Sequence, residues 1–135
     1  MTYEGSCECG AVRYHAEGPM RPVIACHCTQ CRKTTGNYVT ATGAAREAVA
    51  IIGEVRWYQS SEMARRGFCP ECGSQLFWDG PGSHLSIMAG TLDDDTGLTL
   101  AGHIFCADKG SYYEIADGLP QATQDDPGMT TMVIS

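Results

Sequence analysis

The chain has 135 residues, 43% hydrophobic and 19% charged, with a formal net charge of −7, which is the usage of one globular domain and excludes both a disordered chain and two full domains. Its longest apolar run, residues 48–52, is far short of the roughly 20 residues that span a bilayer, and residues 1–5 form neither a basic nor an apolar targeting segment, so a soluble, cytoplasmic protein without membrane contact is expected. Residues 1–66 carry eight basic and six acidic side chains and residues 67–135 one basic and ten acidic, a balance without any basic tract that disfavours nucleic acid as a partner.

In chain order, Gly5-Ser6-Cys7-Glu8-Cys9-Gly10 as an extended segment puts Cys7 and Cys9 on one face, where they can pinch one ion. Val12, Tyr14 and Ala16 alternate with Arg13 and His15 as a short strand closed by Gly18-Pro19. Residues 22–28 read as the next strand, running into Ala25-Cys26-His27-Cys28-Thr29-Gln30-Cys31-Arg32-Lys33, three thiols within six residues. With Cys26 and Cys28 on one face of the strand end and Cys31 in the first turn of a helix begun by Thr29, three sulfurs can converge on one metal and leave its fourth position open, as zinc catalysis requires. Alternatively Cys106, His103, His84 or His15 closes the site as a fourth ligand. His27 points away from its neighbours and reads as a packing or hydrogen-bonding residue. The helix over 29–35 ends at Gly36, strand 38–42 follows with Val39 and Ala41 on one face, and one helical turn is predicted over 46–50.

Residues 55–59 suggest a strand, and 64–68 lead into Phe68-Cys69-Pro70-Glu71-Cys72-Gly73, a Cys-x-x-Cys turn whose Pro presets the bend and whose Gly permits a left-handed exit. If this pair meets Cys7 and Cys9, four thiolates make a closed tetrahedral site that holds structure and does no chemistry; a redox dithiol is the alternative. Residues 74–78, 84–88 and 98–105 supply further strands separated by Gly, Pro and Asp. Asp93-Asp94-Asp95 reads as a solvated turn, and the tail from 124 as flexible or as an edge strand through Met132-Val133-Ile134. Eight cysteines, about 6% of the chain, are below disulfide-scaffold usage, and without an export signal they point to reduced thiols and metal.

The segments 5–14, Cys-His-Cys-Thr-Gln-Cys-Arg-Lys-Thr-Thr-Gly at 26–36, Phe-Cys-Pro-Glu-Cys-Gly-Ser-Gln-Leu at 68–76 and Gly-Thr-Leu-Asp at 90–93 together resemble the glutathione-dependent formaldehyde-activating enzyme family, which includes centromere protein V. His103-Ile104-Phe105, Lys109 and Glu114-Ile115-Ala116-Asp117-Gly118-Leu119-Pro120 resemble its C-terminal signature. The resemblance implies a mainly β, Mss-four-like β-tent fold of antiparallel sheets with short helices and zinc-binding loops, as one domain over 1–121 with a tail over 122–135. It implies a structural zinc on Cys7, Cys9, Cys69 and Cys72 and a catalytic zinc on Cys26, Cys28 and Cys31. The implied activity is that of a carbon-sulfur lyase joining glutathione and formaldehyde reversibly. For a glutathione-like substrate, Arg32, Lys33 and Lys109 are candidates for its carboxylates, with His103 and Tyr112 as donors near the aldehyde. Cys106 is an extra thiol, and Tyr112 stands where the family commonly has Trp. A zinc-stabilised binding module for a protein or small thiol is the rival reading, and a thiol redox sensor a third.

Overall fold

The computed structural model describes residues 1–131. The expected mainly β architecture is borne out. Strands β1 (Thr2–Ser6), β2 (Arg13–Glu17) and β5 (Val49–Ile52) form a three-stranded sheet in the order β1-β2-β5. A second sheet of seven strands runs β10-β3-β4-β9-β8-β7-β6. Its members are β3 (Val23–Cys26), β4 (Val39–Ala45), β6 (Arg56–Gln59), β7 (Arg65–Phe68), β8 (Gln75–Asp79), β9 (His84–Met88) and β10 (Leu100–Ile104). Pairing is antiparallel except between β10 and β3, which run parallel because a long connection returns the chain to that edge. Helix α1 (Thr29–Thr35) and the single turn α2 (Pro127–Thr130) complete the elements used below.

Alternation in the central strands separates two environments, because successive side chains leave a strand on opposite faces. In β9, Leu85 and Ile87 enter the main core, while His84, Ser86 and Met88 face a cavity on the other side. In β4, Val39 and Ala41 share the cavity face, as their spacing predicts, and Ala44 lies in the core. The core between the sheets is organised by Tyr14 of β2, whose ring meets Phe77 of β8 edge-on at 5.2 Å and whose hydroxyl is 2.7 Å from the Thr91 hydroxyl. Tyr14 gains this position by crossing Gly5 of β1, its register partner.

Three expectations are revised. Cys7 and Cys9 lie in a tight turn, with Gly10 N–H donating to Cys7 C=O, and not in an extended segment. The helical turn over 46–50 is confined to Arg46–Ala48, and the chain then pairs with β2 as β5. The tail from 124 is anchored among the described residues: Met129 of α2 packs with Ile24 and Ile104, and residues 122–124 accept backbone hydrogen bonds from residues 105–107. Residues 132–134 lie outside the described residues.

A Cβ on Gly5 would stand 2.0 Å from the Tyr14 ring, which Phe77 and Thr91 hold in place. Gly5→Ala is therefore expected to lower stability by about 1–3 kcal/mol, whereas Gly90→Ala, with nothing within 4 Å of its Cβ, should stay within about 0.5 kcal/mol. Urea denaturation midpoints compare the two directly.

Candidate metal centre and adjoining cavity

The turn after β1 and the knuckle after β7 bring Cys7, Cys9, Cys69 and Cys72 together, with all four sulfurs within 4.8 Å of one another. Cys7 and Cys9 sulfurs are 3.7 Å apart, and Cys9 and Cys69 sulfurs 3.8 Å apart. Four sulfurs at the usual zinc–sulfur length of about 2.3 Å occupy tetrahedron corners about 3.8 Å apart, so the donor set and its spacing fit zinc. Backbone N–H groups of Val12 and Glu71 point at Cys7 and Cys69 Sγ, at 3.2 and 3.4 Å, a cradle suited to thiolates. Hydrogen bonds from the Ser74 side chain and backbone pull the exposed Cys72 thiol down to about 6.

Cys26, Cys28 and Cys31 make the second cluster, their sulfurs also within 4.8 Å of one another. Cys26 ends β3, where it pairs with Val39. Cys28 is the N-cap of α1, accepting from Cys31 N–H at 3.3 Å, and Cys31 stands one turn into the helix. Gly36 stops the helix in the left-handed region at φ 80°, its N–H returning to Arg32 C=O. Hydrogen bonds from Cys26 and then Cys31 draw the Cys28 thiol far below its ordinary value, assisted by the nearby Arg66 charge. Among the described residues no Cys, His, Asp or Glu places a fourth donor within 4.8 Å of all three sulfurs. Of the four candidates for that place, His15 contacts Glu4 and Glu17, His103 is held in the chain described below, His84 contacts Ser83 from the cavity wall, and Cys106 lies outside the cluster.

The two clusters differ in surroundings. The three-sulfur cluster opens on a cavity of about 810 Å³, floored by Ile24, Val39, Ala41 and Met88 and walled by Trp78 and Phe105. Phe105 adopts a left-handed backbone conformation at φ 55°, uncommon for a bulky residue. The lining includes two buried arginines that the sequence reading missed, Arg21 and Arg66, and none of Arg32, Lys33, His103, Lys109 or Tyr112. Arg32 and Lys33 are on α1, with Arg32 Nε buried and without a partner among the described residues. Lys109 Nζ donates to Gly110 and Tyr113 C=O at 3.1 and 2.7 Å. Tyr112 is exposed, with its hydroxyl 3.1 Å from Gly36 C=O and from Asn37 Oδ1, so it ties its loop to the end of α1. Arg66 occupies β7, a strand paired on both sides, where an arginine needs a specific environment, and that interior place comes from the sheet order and not from any local signal in the sequence.

Behind the cluster runs a chain of side-chain hydrogen bonds: Tyr113 Oη to His27 Nδ1 at 2.6 Å, His27 Nε2 to His103 Nδ1 at 2.9 Å, and His103 Nε2 to Asp117 Oδ2 at 2.7 Å. Burial, followed by the charges of His103 and Lys109, pushes His27 down to about 4, so it is neutral. The Asp117 carboxylate only accepts, so His103 donates from Nε2; with His103 neutral, His27 donates from Nε2 to His103 Nδ1 and Tyr113 donates to His27 Nδ1, whereas a protonated His103 donates from Nδ1 as well and reverses both bonds. Asp117 is held below its ordinary value by the Leu119 N–H and then by His103. His27→Phe would leave the His103 Nδ1 and Tyr113 hydroxyl without this partner, at an expected cost of about 1–3 kcal/mol for each group left unsatisfied. Guanidinium unfolding at matched metal content measures it, and loss within error of zero would show that the chain carries no stability.

Residues 2–108 match the family described as glutathione-dependent formaldehyde-activating enzyme. A Halomonas elongata protein bearing that family's name is 33% identical over 87 residues, covering 57% of this chain and 55% of the relative, so the chain spans about half the length of that relative. An uncharacterized lyase of Schizosaccharomyces pombe is 27% identical over 128 residues, covering 92% of this chain and 93% of the relative. With the match running through both cysteine clusters, the chain belongs to the glutathione-dependent formaldehyde-activating enzyme family.

Proposed function

We propose that the protein is a zinc-dependent carbon-sulfur lyase that reversibly adds a glutathione-like thiol to a formaldehyde-like aldehyde. The observation that supports this most is a three-thiol cluster, without a fourth protein donor among the described residues, at the wall of a cavity. In the addition, the S–H bond and the carbonyl π bond break, a carbon–sulfur bond forms and the proton passes to the oxygen. Cys26, Cys28 and Cys31 would hold zinc, which when bound would polarise the aldehyde and favour the ionised thiol.

The chain's own groups then bind and orient. Val39, Ala41, Met88 and Trp78 give apolar surface that limits water around the reactants. Arg21 donates from Nη2 to the C=O of Thr42 at 3.1 Å, and Thr42 stands three residues along β4 from Val39, about 10 Å from the cluster end of that strand. That separation suits a carboxylate remote from the thiol. Arg32 and Lys33 add positive charge on α1, while Lys109, Tyr112 and His103 hold the 109–117 loop against α1 and the cluster. Cys7, Cys9, Cys69 and Cys72 would hold a structural zinc. The binding-module reading would gain from a fourth protein donor at the second cluster.

Exchange of formaldehyde with glutathione, followed by NMR with metal content measured, tests the proposal. Zinc-loaded wild type is expected to accelerate exchange and Cys28→Ser to lose at least about 100-fold of that rate while melting like wild type. Absence of acceleration by zinc-loaded wild type would overturn glutathione–formaldehyde chemistry. Cys72→Ser is expected to lose its cooperative melting transition, since a structural zinc site contributes folding free energy; equal melting of the Cys28→Ser and Cys72→Ser variants would contradict the division of roles.

A further inference from the structure

The cavity wall buries two guanidinium groups, Arg21 at 8% and Arg66 at 4% exposure. Neither forms an ion pair among the described residues, and the wall's carboxylates, Asp108 and Asp125, are exposed. Arg66 lies at the cluster itself: its Nη2 is 3.6 Å from Cys31 Sγ and 3.4 Å from Gln30 Oε1. Its Nε is buried without a partner, and its Nη1 makes no hydrogen bond among the described residues. Three thiolates holding a divalent cation would leave one excess negative charge for the two guanidinium groups, and Arg66 meets it through Nη2 alone, its Nε edge staying without a partner among the described residues. A buried, unpaired guanidinium is costly, and a carboxylate is the partner whose geometry its planar fork matches.

Position then decides which reactant carries that carboxylate. An anion on Arg66 sits one guanidinium away from a cluster sulfur, next to where the reacting carbon must stand. The carboxylates of glutathione are separated from its sulfur by several bonds and belong nearer the Arg21 end. Formaldehyde offers Arg66 nothing. We propose that the preferred electrophile is a small aldehyde bearing a carboxylate on its carbonyl carbon, a 2-oxo acid, with Arg66 as the specificity-determining residue that receives it. This rests on the thiol–aldehyde reading above. The carboxylate is a spectator: the thiol S–H and carbonyl π bonds break, S–C and O–H bonds form, and the product is an α-hydroxy-α-thio acid.

Glyoxylate and its uncharged counterpart glycolaldehyde are compared as electrophiles with glutathione in the zinc-loaded protein, by NMR exchange. Glyoxylate binding without thiol is followed by the fluorescence of Trp78 on the cavity wall, with Trp78→Phe as control. Wild type is expected to favour glyoxylate at least ten-fold in kcat/KM. Arg66→Gln is expected to depress glyoxylate at least ten-fold more than glycolaldehyde and to lose the fluorescence response, with Arg66→Lys restoring part of both. No preference in wild type, or equal depression of both aldehydes by Arg66→Gln, would overturn the proposal and leave Arg66 as a counter-charge to the thiolates. Should Arg66→Gln fail to fold, Arg66→Lys carries the same comparison. If no aldehyde reacts, the lyase reading fails by itself, and the fluorescence titration still decides whether Arg66 receives a carboxylate.

Discussion

Cys9 and Cys69 sulfurs meet across 60 residues of sequence, and the relation between the two sheets depends on that meeting. Closing a loop of that length costs about 4 kcal/mol in chain entropy before any fixed term. Thiol contacts alone are too weak to offset it. The Tyr14–Phe77 contact supplies part of the compensation from between the sheets, and a metal shared by four sulfurs would supply the larger part, because its binding free energy becomes folding free energy. The pair Cys7 and Cys69, both buried, extends the core directly to the sulfurs.

Once the sheets are pinned, one strand face is free for chemistry. Leu85 and Ile87 are committed to the core, so His84, Ser86 and Met88 are delivered to the cavity by the pleat alone. The same logic sets the cluster: β3 ends at Cys26 beside Val39, and α1 begins at Cys28, so a strand end and a helix start supply three sulfurs without a long loop. The Tyr113–His27–His103–Asp117 chain then braces the short link between them from behind. The residue that interrupts the thiols in sequence is therefore the one that locks their loop to the C-terminal segment.

Most strands were legible because apolar alternation in β2, β4 and β9 reports half-buried faces, and the seven clustered cysteines were legible because ligand spacing is local. Helix α1 was read to the residue, since a cap and Gly36 mark its ends. What was not legible was long-range. Strand β5 pairs with β2 through backbone hydrogen bonds that its largely exposed side chains do not announce. The docking of Met129 depends on a gap between Ile24 and Ile104 that only the parallel β10–β3 edge creates. Arg32 and Lys33 are the basic residues nearest the cysteines in sequence, while the cations on the cavity wall, Arg66 and Arg21, come from β7 and from the segment before β3.

The chain is strongly acidic, yet its cavity buries arginine. Surface charges are screened beyond about 8–10 Å at ordinary ionic strength, so the net charge of −7 weakly discourages anions at a distance and says little about the cavity. Inside, low polarisability makes each charge count, and an arginine retained there without a carboxylate must either be compensated by the thiolates or await a ligand. Arg66 meets the first condition only in part, since Nη2 alone touches Cys31 while Nε is buried without a partner among the described residues. Among the described residues Arg21 donates only to a backbone carbonyl, and burial draws its pKa down, opposed by the charges of Asp125 and Cys26. One excess negative charge on the thiolate cluster would therefore not neutralise both arginines, which is the physical basis for expecting an anionic reactant in this cavity.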